Sequence, residues 1–171
     1  MSTRGGIGRL TSQKPIAFRA VYHHFDSYPT GLGKNLWNLY NNFFKKDLKA
    51  MLKVLTKDHN AWSTIQGDFT KEIGYGKDGP QCYCHGDRSE KNKPITEKTA
   101  SGCGCEWVYA FETVDGEDLM HVLSSYCDPE GKCVGQKMIG MFGCGDEKAV
   151  WRDVAIINLN EIEPIWEAIE V

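Results

Sequence analysis

From Gly67 to Cys105 the chain almost stops using large apolar residues and places four cysteines in two C-x-C pairs, Cys82-Tyr83-Cys84 and Cys103-Gly104-Cys105. A stretch of that length without helix or strand periodicity is either disordered or tied down by something other than a core. Eighteen residues separate Cys84 from Cys103, enough for the two pairs to converge on one tetrahedral ion. Zinc fits such a set because it takes four sulfur or nitrogen ligands and brings no redox chemistry. Gly86, Gly102 and Gly104 allow the backbone to wrap closely around an ion. The expectation is a structural zinc site of Cys82, Cys84, Cys103 and Cys105 within a metal-tied insertion over 67–105. His85, next to Cys84, is a substitute ligand, and free or oxidised thiols are the competing reading.

Seven cysteines in all are an odd number, and Met1-Ser2-Thr3-Arg4-Gly5-Gly6 lacks the apolar core of a secretory signal. A cytoplasmic protein with reduced thiols is therefore expected, in which cysteine clusters point to metal. Cys127 and Cys133 flank the Asp128-Pro129-Glu130-Gly131 turn, and Cys144 stands apart. They read as small buried residues, with a disulfide or a second metal as the alternative.

Elsewhere the periodicity predicts an α+β domain. Residues 5–10 and 16–23 alternate like strands around the turn-rich Thr11-Ser12-Gln13-Lys14-Pro15, which predicts a hairpin. Leu32, Leu36, Leu39, Tyr40, Phe43 and Phe44 recur at helical spacing over 31–45, with Thr30 as N-cap. Leu48, Met51, Leu52 and Leu55 predict a second helix over 47–57 behind Asp47, and Trp62 and Ile65 add packing from a further short element. Residues 106–114 place Trp107, Tyr109 and Phe111 on one strand face, and further strands are expected at 119–126, 133–142 and 149–157. A short helix over 159–169, with Asn160 as cap and Pro164 in its first turn, ends the chain. The sum is a single domain over 1–171: an antiparallel sheet, made of the N-terminal hairpin and C-terminal strands, with two or three helices packed on one side.

The segment Tyr22-His23-His24-Phe25-Asp26-Ser27-Tyr28-Pro29-Thr30-Gly31-Leu32-Gly33-Lys34 is the richest in chemistry. Strand alternation points His23 and His24 to opposite faces, so they do not share a metal. His24 and Asp26 share a face if the strand continues, which makes them a candidate acid–base pair, with Tyr22 and Tyr28 beside them. Gly31, Gly33 and Lys34 open a helix whose free N–H groups and cation suit a phosphate or carboxylate. The competing reading is a structural corner, with Asp26 and Ser27 holding the turn. Ser2 is a thinner candidate, as an N-terminal nucleophile after loss of Met1.

Met1-Ser2-Thr3-Arg4 with Ile7, then Val21-Tyr22-His23-His24-Phe25-Asp26-Ser27-Tyr28-Pro29 and Gly33, resembles a family of small uncharacterised proteins of bacteria and phages. Those chains often begin Met-Ser-Thr-Arg and carry Tyr-x-His-Trp-Asp-Gly-Tyr-Pro followed by glycine. Here Phe25 stands where Trp is usual and Ser27 where Gly is usual. The match covers about the first 40 residues and leaves out the cysteine-rich stretch. The resemblance implies a shared feature at 20–34 and assigns it no activity.

A net charge of −3 argues against nucleic-acid binding by bulk electrostatics. Lys45, Lys46, Lys49 and Lys53 read first as a solvated helix face, with a local basic patch as the alternative. No apolar run reaches the roughly 18 residues of a membrane span. Two functions stay open at this point. One is a small-molecule site for an anionic or nucleotide-type ligand at 22–34, beside a structural zinc. The other is a non-catalytic, zinc-stabilised protein-interaction module. Whether the protein is an enzyme is left open.

Overall fold

The structure is a computed structural model that describes residues 2–125 and 151–170. Cys127, Cys133, Cys144 and the strand expected at 133–142 lie outside the described residues.

The N-terminal hairpin forms as expected, from β1 (Arg4–Gln13) and β2 (Ile16–His23), paired antiparallel. Its strands approach so closely that a Cβ on Gly8 would sit 2.0 Å from the Arg19 carbonyl oxygen. The chain then makes a long helical crossover. Helix α1 runs through three consecutive segments, Pro29–Gly33, Lys34–Asn38 and Leu39–Phe43, the outer two wound as wide π-type turns. Helix α2 comprises Leu48–Lys53 continued by Val54–Asp58, and the Asp47 carboxylate accepts the Ala50 N–H at 2.9 Å as its cap. Such a crossover allows the next strand, β3 (Ala61–Thr64), to lie parallel to β2.

Two short strands punctuate the cysteine-rich stretch. β4 (Gln81–Cys82) pairs antiparallel with β3, and β5 (Ile95–Thr96) pairs with β2. β6 (Cys105–Val114) lies parallel to β1, followed by the antiparallel β7 (Glu117–Ser124) and β8 (Arg152–Asn158). The order is β4-β3-β2-β1-β6-β7-β8, with β5 also on β2. The fold is thus α+β, and its sheet is mostly antiparallel with two parallel pairs, β1–β6 and β2–β3.

Alternation divides the sheet into two apolar faces. On one, Ile7, Val21, Trp107, Tyr109, Phe111 and Val122 pack against Leu32, Leu36, Met51, Leu52 and Leu55 of the helices. On the other, Phe18, Ala20, Val108, Ala110 and Leu123 pack with Ile95, Ala100, Cys105 and Trp151. The terminal helix α3 is only Trp166–Ile169, shorter than the periodicity suggests. Asn160 does not cap it. Its N–H bonds the Asn158 side chain in a turn after β8, and Pro164 holds the preceding residue out of helical conformation.

Candidate metal centre

The pairing of β3 with β4 places Trp62 opposite Cys82, and the Tyr83 N–H bonds the Ala61 carbonyl at 2.9 Å. The chain beyond β4 therefore folds back over the residues that precede β3. This brings Cys82, Cys84 and His85 against His59, with one ligand atom of each within 4.8 Å of all the others. Cys82 Sγ lies 3.7 Å from His85 Nδ1, and Cys84 Sγ lies 3.7 Å from His59 Nδ1. With bonds of about 2.3 Å to sulfur and about 2.0 Å to nitrogen, neighbouring corners of a zinc tetrahedron sit roughly 3.3–3.8 Å apart. The two sulfur–nitrogen distances match those edges.

The surroundings fix the group. The His59 ring packs on Trp62 and on His85, with centroids 4.7 Å away in both cases. The Asn60 N–H points at Cys84 Sγ, 3.4 Å away, and Asn60 Oδ1 accepts from the Asn92 amide at 3.2 Å. Such contacts orient a metal ligand without touching the metal. Burial, then the neighbouring His85, lowers the His59 imidazole to about 4, and burial raises the Cys82 thiol. Two cysteines and two histidines are a ligand set that can hold a metal ion.

Cys103 and Cys105 belong to a different part of the molecule. β4 and β6 are four steps apart in the sheet, about 19 Å at roughly 4.8 Å per strand, which keeps Cys105 away from Cys82. Cys105 begins β6, is buried in the second core face and directs its thiol to the Gly5 carbonyl at 3.3 Å. Cys103 is exposed on the single turn Ser101–Cys103, where its carbonyl accepts from Arg4. His85 thus joins the group, and His59 completes it. No motif flags His59, because 22 residues separate it from Cys82 and only strand pairing closes the gap.

At 22–34 the strand ends at His23, and Asp26 turns into the left-handed region at φ 54°. His24 and Asp26 consequently do not form the expected pair. His24 Nδ1 bonds the Tyr22 hydroxyl at 2.7 Å, and its ring meets Phe25 and Tyr83. Burial lowers the His24 imidazole, helped by Arg4 and Arg88, and burial raises the Tyr22 hydroxyl. The Asp26 carboxylate raises the phenol of the half-buried Tyr28. His23 is the structural histidine: buried, its Nδ1 is 2.8 Å from Ser27 Oγ and its Nε2 accepts the Ile65 N–H at 3.3 Å.

The helix opening is also engaged from within. Gly31 and Leu32 donate their N–H groups to the Tyr28 and Asp26 carbonyls, and Thr30 donates both N–H and hydroxyl to Glu170. Thr30 is therefore not the cap expected of it. Gly31 and Gly33 serve close packing. A Cβ on Gly31 would lie 2.3 Å from the Asp26 carbonyl oxygen, and one on Gly33 would lie 2.9 Å and 3.0 Å from the Trp166 and Tyr109 rings. Lys34 is exposed. The Ser2 hydroxyl donates to the His24 carbonyl at 2.6 Å.

No helix among the described residues is long and apolar enough to cross a membrane. Comparisons with protein-family models, with curated proteins and with solved structures return no match.

Proposed function

We propose that His59, Cys82, Cys84 and His85 bind one zinc ion and that the protein is a zinc-stabilised interaction module. The observation that carries this reading is the four-donor group itself. Four protein ligands complete a tetrahedron and leave no position for a substrate or an activated water, the arrangement of structural rather than catalytic zinc. The ion would pin the turn after β4 to the start of β3. The same turn presents Arg88 stacked over Tyr83 and Tyr75, 4.3 Å and 5.0 Å from the ring centroids. Arg88 with the exposed Tyr75 and Phe25 supplies an aromatic and cationic face of the kind protein partners use.

The test is metal analysis of the purified protein, followed by cobalt substitution. The reading expects one zinc per chain, tetrahedral thiolate absorption on cobalt loading, and loss of folding free energy on chelation. Metal-free protein with unchanged melting would remove it. A cobalt spectrum showing an exchangeable water ligand would turn the reading toward catalysis.

A further inference from the structure

At the other end of α2 from His59, the turn between α1 and α2 borders a cavity of about 630 Å³ lined by Arg9, Lys45, Lys46, Asp47, Lys49 and Asp118, among others. Lys45 and Lys46 both occupy the left-handed region, at φ 50° and 66°. Two successive side-chain-bearing residues there are unusual, since glycine or asparagine adopts that conformation at less cost. Strain of this kind persists only where the surroundings impose it, and it concentrates at ligand sites. Here the Lys46 N–H is fixed to the Tyr40 carbonyl at 2.8 Å and the Asp47 N–H to the Phe44 carbonyl at 2.9 Å.

The charges are arranged to stay available. Asp118 accepts from the Tyr40 hydroxyl with one oxygen and from the Thr113 hydroxyl with the other, both at 2.7 Å. Asp47 is committed to the Ala50 N–H. Among the described residues, none of Arg9, Lys45, Lys46 and Lys49 forms a salt bridge. Four cations from three elements thus line one concavity together with the two carboxylates of Asp47 and Asp118, which leaves it a net positive charge. The left-handed turn closes the end of α1; what a lysine helix face alone would not bring is Arg9, which lines the same concavity from β1.

We propose that this cavity binds a small ligand carrying adjacent phosphates, such as an oligophosphate or a nucleoside polyphosphate. Its volume falls in the range of small-molecule sites, about 300–1,000 Å³. Lysine ammoniums supply point charges, and the Arg9 guanidinium supplies a fork that matches two phosphate oxygens. The site is independent of the metal centre.

Inorganic tripolyphosphate is the probe, with binding followed by calorimetry on the whole chain as purified. The expected result is saturable one-to-one binding that weakens as salt is raised. K45Q/K46Q weakens it at least tenfold with an unchanged circular dichroism spectrum, and R9Q weakens it similarly. K53Q/K57Q, outside the cavity, changes it less than twofold. Equal weakening by both double variants would mean diffuse attraction and overturn the proposal, as would absence of saturable binding. A single-stranded oligonucleotide binding ten times more tightly than tripolyphosphate, or than ATP, would also overturn it, in favour of a nucleic-acid backbone. If K45Q/K46Q misfolds, R9Q and K49Q decide by the same tenfold criterion.

Discussion

The Glu170 carboxylate accepts both the backbone N–H of Thr30, at 3.1 Å, and its hydroxyl, at 2.5 Å, across 140 positions of chain. The end of the chain thereby closes over the beginning of α1, next to the packing of Trp166 on Gly33. A negative group belongs at a helix opening, where backbone N–H groups lack intrahelical partners. The protein's own Glu170 carboxylate takes the Thr30 N–H at the opening of α1.

Glu170→Ala removes two hydrogen bonds at an exposed site, so the expected loss is about 0.5–1.5 kcal/mol. Urea unfolding measures it. Thr30→Val should cost a similar amount, and the double variant should cost less than the sum of the two, because the same contact is removed twice. Full additivity would show that the latch does not form in solution.

Gly31→Ala and Gly33→Ala should separate backbone crowding from ring crowding. At Gly31 the new methyl meets a carbonyl oxygen, whereas at Gly33 it meets the Trp166 and Tyr109 rings. Overpacking costs about 1–3 kcal/mol, and the larger loss is expected at Gly31, because the Trp166 ring sits on a four-residue helix that can shift. Denaturant midpoints of the two variants check the order.

Burial lowers the His23 imidazole from its usual 6.5 to about 3. The folded state therefore holds fewer protons at this site than the unfolded state between those values. Its contribution is present above pH 6.5 and is lost progressively as the pH falls toward 3, by up to about 1.4 kcal/mol per pH unit for one proton. His23→Gln should flatten that one-proton slope while lowering stability at pH 7 by about 1–3 kcal/mol through the orphaned Ser27 and Ile65 partners. Unfolding at a series of pH values would show an unchanged slope if His23 titrates normally.

Removing metal discriminates between the cysteines. Cys84→Ser should abolish zinc retention and mimic chelation, whereas Cys103→Ser should retain one zinc per chain, since Cys103 lies outside the four-donor group. His59→Ala should weaken retention by about tenfold or more, the scale attached even to supporting residues of metal sites. Competition with a chromogenic chelator measures all three.

His121 joins three strands. Its ring nitrogens sit 2.7 Å from the Glu112 carboxylate on β6 and 2.9 Å from that of Asp153 on β8. His121→Leu leaves the two carboxylates without their shared partner and should cost about 1–3 kcal/mol in chemical unfolding.

Local patterning was enough for the α+β class, the hairpin, both helices and the apolar face of β6. These depend on periods of two and 3.6 residues within single segments, which are printed directly in the order of side chains. Cys82, Cys84 and His85 were also visible, because a short C-x-C-H run keeps its ligands together however the rest folds. The parallel pairings, the partner of that run and the fate of the helix opening were not. His59 meets the cysteines because β4 folds onto β3, Cys105 leaves them because β6 docks on β1, and Glu170 reaches Thr30 because the C-terminal helix packs on α1. Each outcome depends on which strands become neighbours, and that choice is made by the burial of whole faces. No single segment of the chain encodes it.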